Sequence, residues 1–138
     1  MLTVLALLAA TGVACAASWV YVTWDRDLKA DIFFDADTVA RNGSSLVFWE
    51  LIVYDDPNLF GDLKELWKWE VKLSAPRSHR VLEYHAYDVD VRETYQSGKQ
   101  LEFQLVPTGS LLDNEIDLAL QYGREGNFTT QPIVPRPH

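Results

Sequence analysis

Residues 42–54 read NGSSLVFWELIVY, and the fold hangs on how this stretch is interpreted. Asn42-Gly43 is the strongest hairpin signal in the chain, because both residue types tolerate positive φ. The run from Ser45 to Tyr54 is apolar almost without a break, with Glu50 as its one interior interruption. Ten residues of this kind, rich in β-branched and aromatic side chains, predict a central strand covered on both faces. Asp55-Asp56-Pro57-Asn58 then supplies turn chemistry that ends the strand.

Working outward, residues 18–24 (SWVYVTW) carry a dense strand signal. Ile32-Phe33-Phe34 predicts a shorter strand. Residues 62–73 (DLKELWKWEVKL) are ambiguous. Leu63, Leu66 and Trp67 fit a helical stripe, whereas Trp67, Trp69, Val71 and Leu73 alternate as a strand does. The expectation is a short helical turn or loop giving way to a strand near Leu66. Residues 78–86 predict a strand with Val81 on one face and Leu82, Tyr84 and Ala86 on the other. The parity flips from Tyr87, which calls for a bulge or tight turn within residues 85–88. Residues 101–106 predict a last strand.

Beyond Pro107-Thr108-Gly109 the period changes from two to 3.6. Ser110 is an N-cap candidate with Asp113 three residues on. Leu112, Ile116, Ala119 and Leu120 share one helical face, and Gly123 suits the position after the helix end. The remainder, residues 123–138, has three prolines and no period, and reads as a flexible tail. The expected fold is α+β: a single twisted antiparallel β-sheet of about six strands with a C-terminal α-helix packed against it.

The chain has 138 residues and a net charge of −8, enough for one domain. The acidic balance argues against a nucleic-acid partner and against a polybasic lipid anchor. Residues 1–17 (MLTVLALLAATGVACAA) carry no charge and end in small residues, as a secretory signal peptide does. Cleavage is expected after Ala16 or Ala17, leaving a domain over residues 18–122 and an exported, periplasmic or envelope-attached protein. Cys15 is the single cysteine and stands where a lipoprotein would be acylated, the only route by which membrane attachment is foreseen. The exported domain would then contain no disulfide and depend on packing alone.

The ordered elements resemble the bacterial surface-adhesin protein E-like family. The resemblance is carried by Trp19-Val20-Tyr21-Val22 and by Phe34-Asp35-Ala36-Asp37-Thr38-Val39-Ala40-Arg41-Asn42-Gly43 with Leu46-Val47-Phe48-Trp49-Glu50-Leu51. Residues 78–84 with Val91-Arg92, and Pro107-Thr108-Gly109-Ser110 before the helix, add to it. Many relatives have a cysteine near the position of Ala86 and another late in the helix; both are absent here. The resemblance implies an antiparallel sheet with a C-terminal helix in a secreted protein, and its name implies adhesion.

No nucleotide-binding glycine motif or nucleophile elbow occurs, no cofactor is implied, and no catalytic residue is nominated. His79, Glu83 and His85 have common parity, but roughly 20 Å separates the two histidines along a strand, too far for one metal. Asp35/Asp37, Asp55/Asp56 and Asp88/Asp90 read as turn carboxylates. Arg41 is expected to bridge locally or to shape the adjacent turn. Trp67 and Trp69 with Lys68, and with Lys64 and Lys72 nearby, form the candidate binding patch for a protein or glycan at the cell surface. The alternative is a structural envelope protein that meets its own copies, as a homodimer through an edge strand.

Overall fold

In the computed structural model, residues 17–125 are described, so the signal-peptide reading, Cys15 and most of the expected tail lie outside the described residues. The strands are β1 (Trp19–Asp25), β2 (Ala30–Asp35), β3 (Ala40–Asn42), β4 (Ser45–Tyr54), β5 (Lys64–Lys72), β6 (Ser78–Tyr87), β7 (Glu93–Ser97), β8 (Gln104–Leu105) and β9 (Arg124–Glu125). The one helix among the described residues, α1 (Leu111–Leu120), lies between β8 and β9. Six strands form one continuous path in the order β1-β2-β4-β5-β6-β7. The expected count of about six becomes nine because β3, β8 and β9 are two- or three-residue pieces added at the margins. Among the described residues, all strand pairings are antiparallel except β3 with β9.

Strand β4 is central, as its sequence predicts: residues 46–50 and Ile52 are buried, and β2 and β5 flank it. The hairpin into it closes on Gly43-Ser44 rather than Asn42-Gly43, since Asn42 pairs with Ser45. Gly43 has φ +58°, the positive φ expected of the first central residue of such a turn. Arg41 Nε donates to Gly43 O at 3.1 Å and steadies it.

The ambiguous stretch resolves as strand from Lys64, with no helical turn before Leu66. Ladders to β4 and β6 on both sides outweigh the short helical stripe there. The expected strand over residues 101–106 shrinks to Gln104–Leu105, which pair only with the Ser78–His79 end of β6. The other half of that edge is taken by β7. Arg124 and Glu125, assigned to the tail by their sequence, instead pair parallel to β3.

The parity of β6 also differs from the sequence reading. Lys68 pairs with Glu83 but Trp69 with Val81, so Leu82 is the extra residue of a bulge. Val81 therefore shares a face with Tyr84 and Ala86. A second irregularity falls between Ala86 and Tyr87, within the segment where one was expected.

Helix α1 docks by the stripe anticipated for it. Ile116 and Ala119 are fully buried against Phe34, Val39, Leu46, Phe48 and Val71, with Leu112 and Leu120 beside them. Ser110 Oγ accepts from Asp113 N at 3.2 Å, and the Asp113 carboxylate turns back to Gly109 N and to Arg77. These contacts, the backbone N–H of Gly109 foremost, hold the Asp113 carboxyl below its usual range. The far end closes through Gln121 N to Leu118 O and Tyr122 N to Ala119 O, so Gly123 is not needed as a left-handed cap.

Candidate functional site

A ten-residue helix is about 15 Å long, whereas strands of nine or ten residues run to about 30 Å. Helix α1 therefore covers only part of one sheet face. Its N-terminal residue Leu111 reaches a second apolar cluster built on Ala30, Ile32 and Ile52, with Tyr54 and Trp67 at its margin. Beyond that point the same face lies open as a groove of about 850 Å³. Strands β4, β5 and β6 supply Tyr54, Glu65, Trp67 and Tyr84, and the connections β1–β2 and β4–β5 wall it with Asp27, Lys29, Asp56 and Phe60.

Glu65 lies at its base and is buried. Its Oε1 accepts from Tyr54 OH at 2.9 Å and from Asn58 Nδ2 at 3.2 Å, and its Oε2 accepts from Trp67 Nε1 at 3.0 Å. Burial and the Glu65 charge push the Tyr54 and Tyr84 hydroxyls up, so both remain neutral at ordinary pH. The Trp67 and Tyr84 rings meet at 4.3 Å, and Tyr84 meets Tyr95 at 5.7 Å. A second cavity of about 360 Å³ shares Phe60 and Tyr84 with the groove and adds Asp62, Thr94 and Tyr95.

The β4–β5 connection is held from within. Asn58 Oδ1 accepts from Phe60 N and Asp62 N, and Asn58 N donates to Asp62 O. Asp62 in turn accepts from Thr94 Oγ1. This pinned loop presents Leu59 and Phe60 to solvent at 102% and 86% exposure. Two adjacent apolar side chains on an ordered loop beside a groove have the form of a contact surface.

The candidate patch divides. Trp67 lines the groove, while Trp69 stacks on it at 5.6 Å and packs toward the helix-covered core. Lys68 belongs to the other face, where it is buried with its Nζ 5.7 Å from the Trp49 ring centre. Lys72 also departs, its ammonium lying over Phe103 at 4.0 Å. Alternation along β5 places the lysines opposite the tryptophans, so they do not form one rim. Cys15 lies outside the described residues.

The histidines separate too. The bulge at Leu82 puts His79 against the edge of Trp69 at 5.0 Å, with burial lowering its pKa. His85 faces the other way, its two ring nitrogens 2.7 Å from Glu83 and Glu93. Their common parity therefore fails. Two of the aspartate pairs serve their turns: Asp35 accepts from the backbone N–H groups of Ser18 and Asp37, and Asp88 from those of Asp90 and Arg92. Asp55 instead accepts from Trp24 Nε1 at 3.2 Å, and Asp56 lines the groove.

Glu65, Tyr54, Tyr84 and the Leu59-Phe60 pair were not singled out by sequence. The available signal was Leu59-Phe60 directly after four turn residues, a place where apolar side chains have no local use. A further unanticipated feature is Glu115, on the buried face of α1 beside Glu50 of β4. No hydrogen bond of ordinary geometry reaches either Glu115 oxygen or the neighbouring Trp69 indole nitrogen. Burial pushes both carboxyls up, Glu115 the further because Glu50 stands beside it.

Among the described residues no group of three or more His, Cys, Asp or Glu is placed to hold a metal ion, and no helix is long and apolar enough to cross a membrane. No protein-family model, no curated protein and no solved structure matches the chain.

Proposed function

We propose that this protein is a non-catalytic binding module, exported to the cell envelope or periplasm, that holds a protein or glycan partner in the groove over Glu65. The observation that carries the reading is the pinned loop bearing Leu59 and Phe60 beside an open aromatic groove. Burying those two side chains in a partner is favourable by about 1.5–3 kcal/mol each. The resemblance to the surface-adhesin protein E-like family and the apolar leader support export and adhesion as the setting.

The test is solid-phase binding of the full-length chain to immobilised matrix proteins and glycans. Trp67→Ala and Phe60→Ser should each reduce capture at least about tenfold while leaving the circular-dichroism spectrum unchanged. Equal capture by the wild type and both variants sinks the groove. Self-association is the alternative, favoured by the exposed edge strand β7. A dimer unaffected by Phe60→Ser but lost on Tyr95→Pro would support it.

A further inference from the structure

We infer that the groove recognises a cationic side chain, an arginine or lysine presented by a protein segment, with an apolar neighbour of that residue seated on Leu59 and Phe60. This rests on the groove being the binding site. Three observations narrow the ligand class.

First, the lining is acidic: among the described residues, Asp27, Asp56 and Glu65 stand against Lys29. Glu65 receives its three hydrogen bonds from the uncharged donors Tyr54, Asn58 and Trp67, which solvate its charge without cancelling it. A negative potential in a concave, partly desolvated site acts more strongly than on an open surface.

Second, the directional polar groups at the base are already committed to one another. Tyr54 OH, Asn58 Nδ2 and Trp67 Nε1 all donate to Glu65. A sugar is held by several donors and acceptors aimed at its hydroxyls, and at the base these three donors are engaged with Glu65. What the base leaves to a ligand is the open ring surface of Trp67, Tyr54 and Tyr84, and the walls add the charges of Asp27, Asp56 and Lys29, negative on balance. That combination selects a weakly hydrated cation, guanidinium above all.

Third, about 850 Å³ is more than one ammonium fills, and the exposed apolar pair lies at the rim. A peptide segment meets both conditions, with its cation over the aromatic base and its apolar neighbour on the loop.

The experiment uses the full-length ¹⁵N-labelled chain and follows the Trp67 indole N–H resonance, identified as the one missing from Trp67→Phe. The probes are a blocked pentapeptide with arginine flanked by leucines, the same peptide with neutral citrulline for arginine, and neutral chitotriose. The arginine peptide should shift the resonance saturably, and the citrulline peptide should bind about tenfold more weakly. Asp56→Asn, at a site outside the Glu65 network, should weaken the arginine peptide a few fold and reduce its salt dependence. Equal affinity for the arginine and citrulline peptides overturns the cation inference and keeps the groove. A shift with chitotriose alone overturns the inference and leaves a glycan-binding module. Failure of all three probes overturns the inference, while loss of partner capture on Trp67→Ala would still support the groove.

Discussion

Glu65 and Glu115 are buried on the same side of the sheet, yet their surroundings are opposite. Glu65 receives three donors from strands β4 and β5 and the loop between them. Glu115 lies on the buried face of the helix, its oxygens reached by no neutral donor and its carboxyl set against that of Glu50. A satisfied buried carboxylate organises its neighbours, whereas an unsatisfied one opposes the packing around it. The open half of the sheet is thus built round a polar network, and the covered half encloses a polar group its apolar contacts must outweigh.

The comparison predicts substitutions of opposite sign. Glu65→Leu removes the acceptor for Tyr54, Asn58 and Trp67 and should destabilise the protein by about 3 kcal/mol in urea unfolding. A neutral result would mean that the network merely accompanies the groove. Replacing both buried carboxyls at once, Glu50→Leu with Glu115→Leu, should instead stabilise by about 2 kcal/mol at neutral pH. Destabilisation there would show that the Glu50–Glu115 contact holds the helix down.

The pH dependence sharpens the same contrast. Both the Glu50 and Glu115 carboxyls are raised above their ordinary value of 4.5 by burial. The folded chain therefore keeps protons that the unfolded chain releases as pH climbs past 4.5. Their contribution is fully present below that value and is lost as pH rises toward the folded values, at up to about 1.4 kcal/mol per pH unit for each proton. Comparing urea midpoints of the wild type and Glu115→Leu from pH 4.5 upward isolates this slope, which should flatten in the variant. Parallel curves would assign the pH dependence elsewhere.

The smallest effect belongs to a region without a buried carboxylate. Val91, in the β6–β7 connection, has φ +65°, a conformation costly for a β-branched residue. Val91→Gly should stabilise by about 1 kcal/mol and leave the Trp67 resonance in place. A larger gain, or movement at Trp67, would mean that the loop is coupled to the groove.

Much of the scaffold was legible from local pattern. Residues 45–54 could only be a covered strand, and the Leu112/Ile116/Ala119/Leu120 stripe could only be buried. Ser110 and Asp113 announced the helix start. The candidate site was legible in one residue, Trp67. Trp69 belongs to the core, and Lys68 faces away because a strand sends successive side chains to opposite sides. The bulge at Leu82 left no compositional trace, so the faces of Val81 and His79 were misassigned by the alternation rule.

Apolar periodicity and capping chemistry, which act over a few neighbouring residues, were enough to specify a sheet and an amphipathic helix within residues 17–125. The meeting of Glu50 with Glu115, 65 positions apart, was settled by three-dimensional packing. That packing also decided that Glu65 gathers Tyr54, Asn58 and Trp67, and that half a sheet face stays open as a groove. Those outcomes depend on strand register, on the bulge that shifts it, and on a helix too short for the sheet it covers. Each is set by packing summed over the whole domain, which no local window of sequence contains.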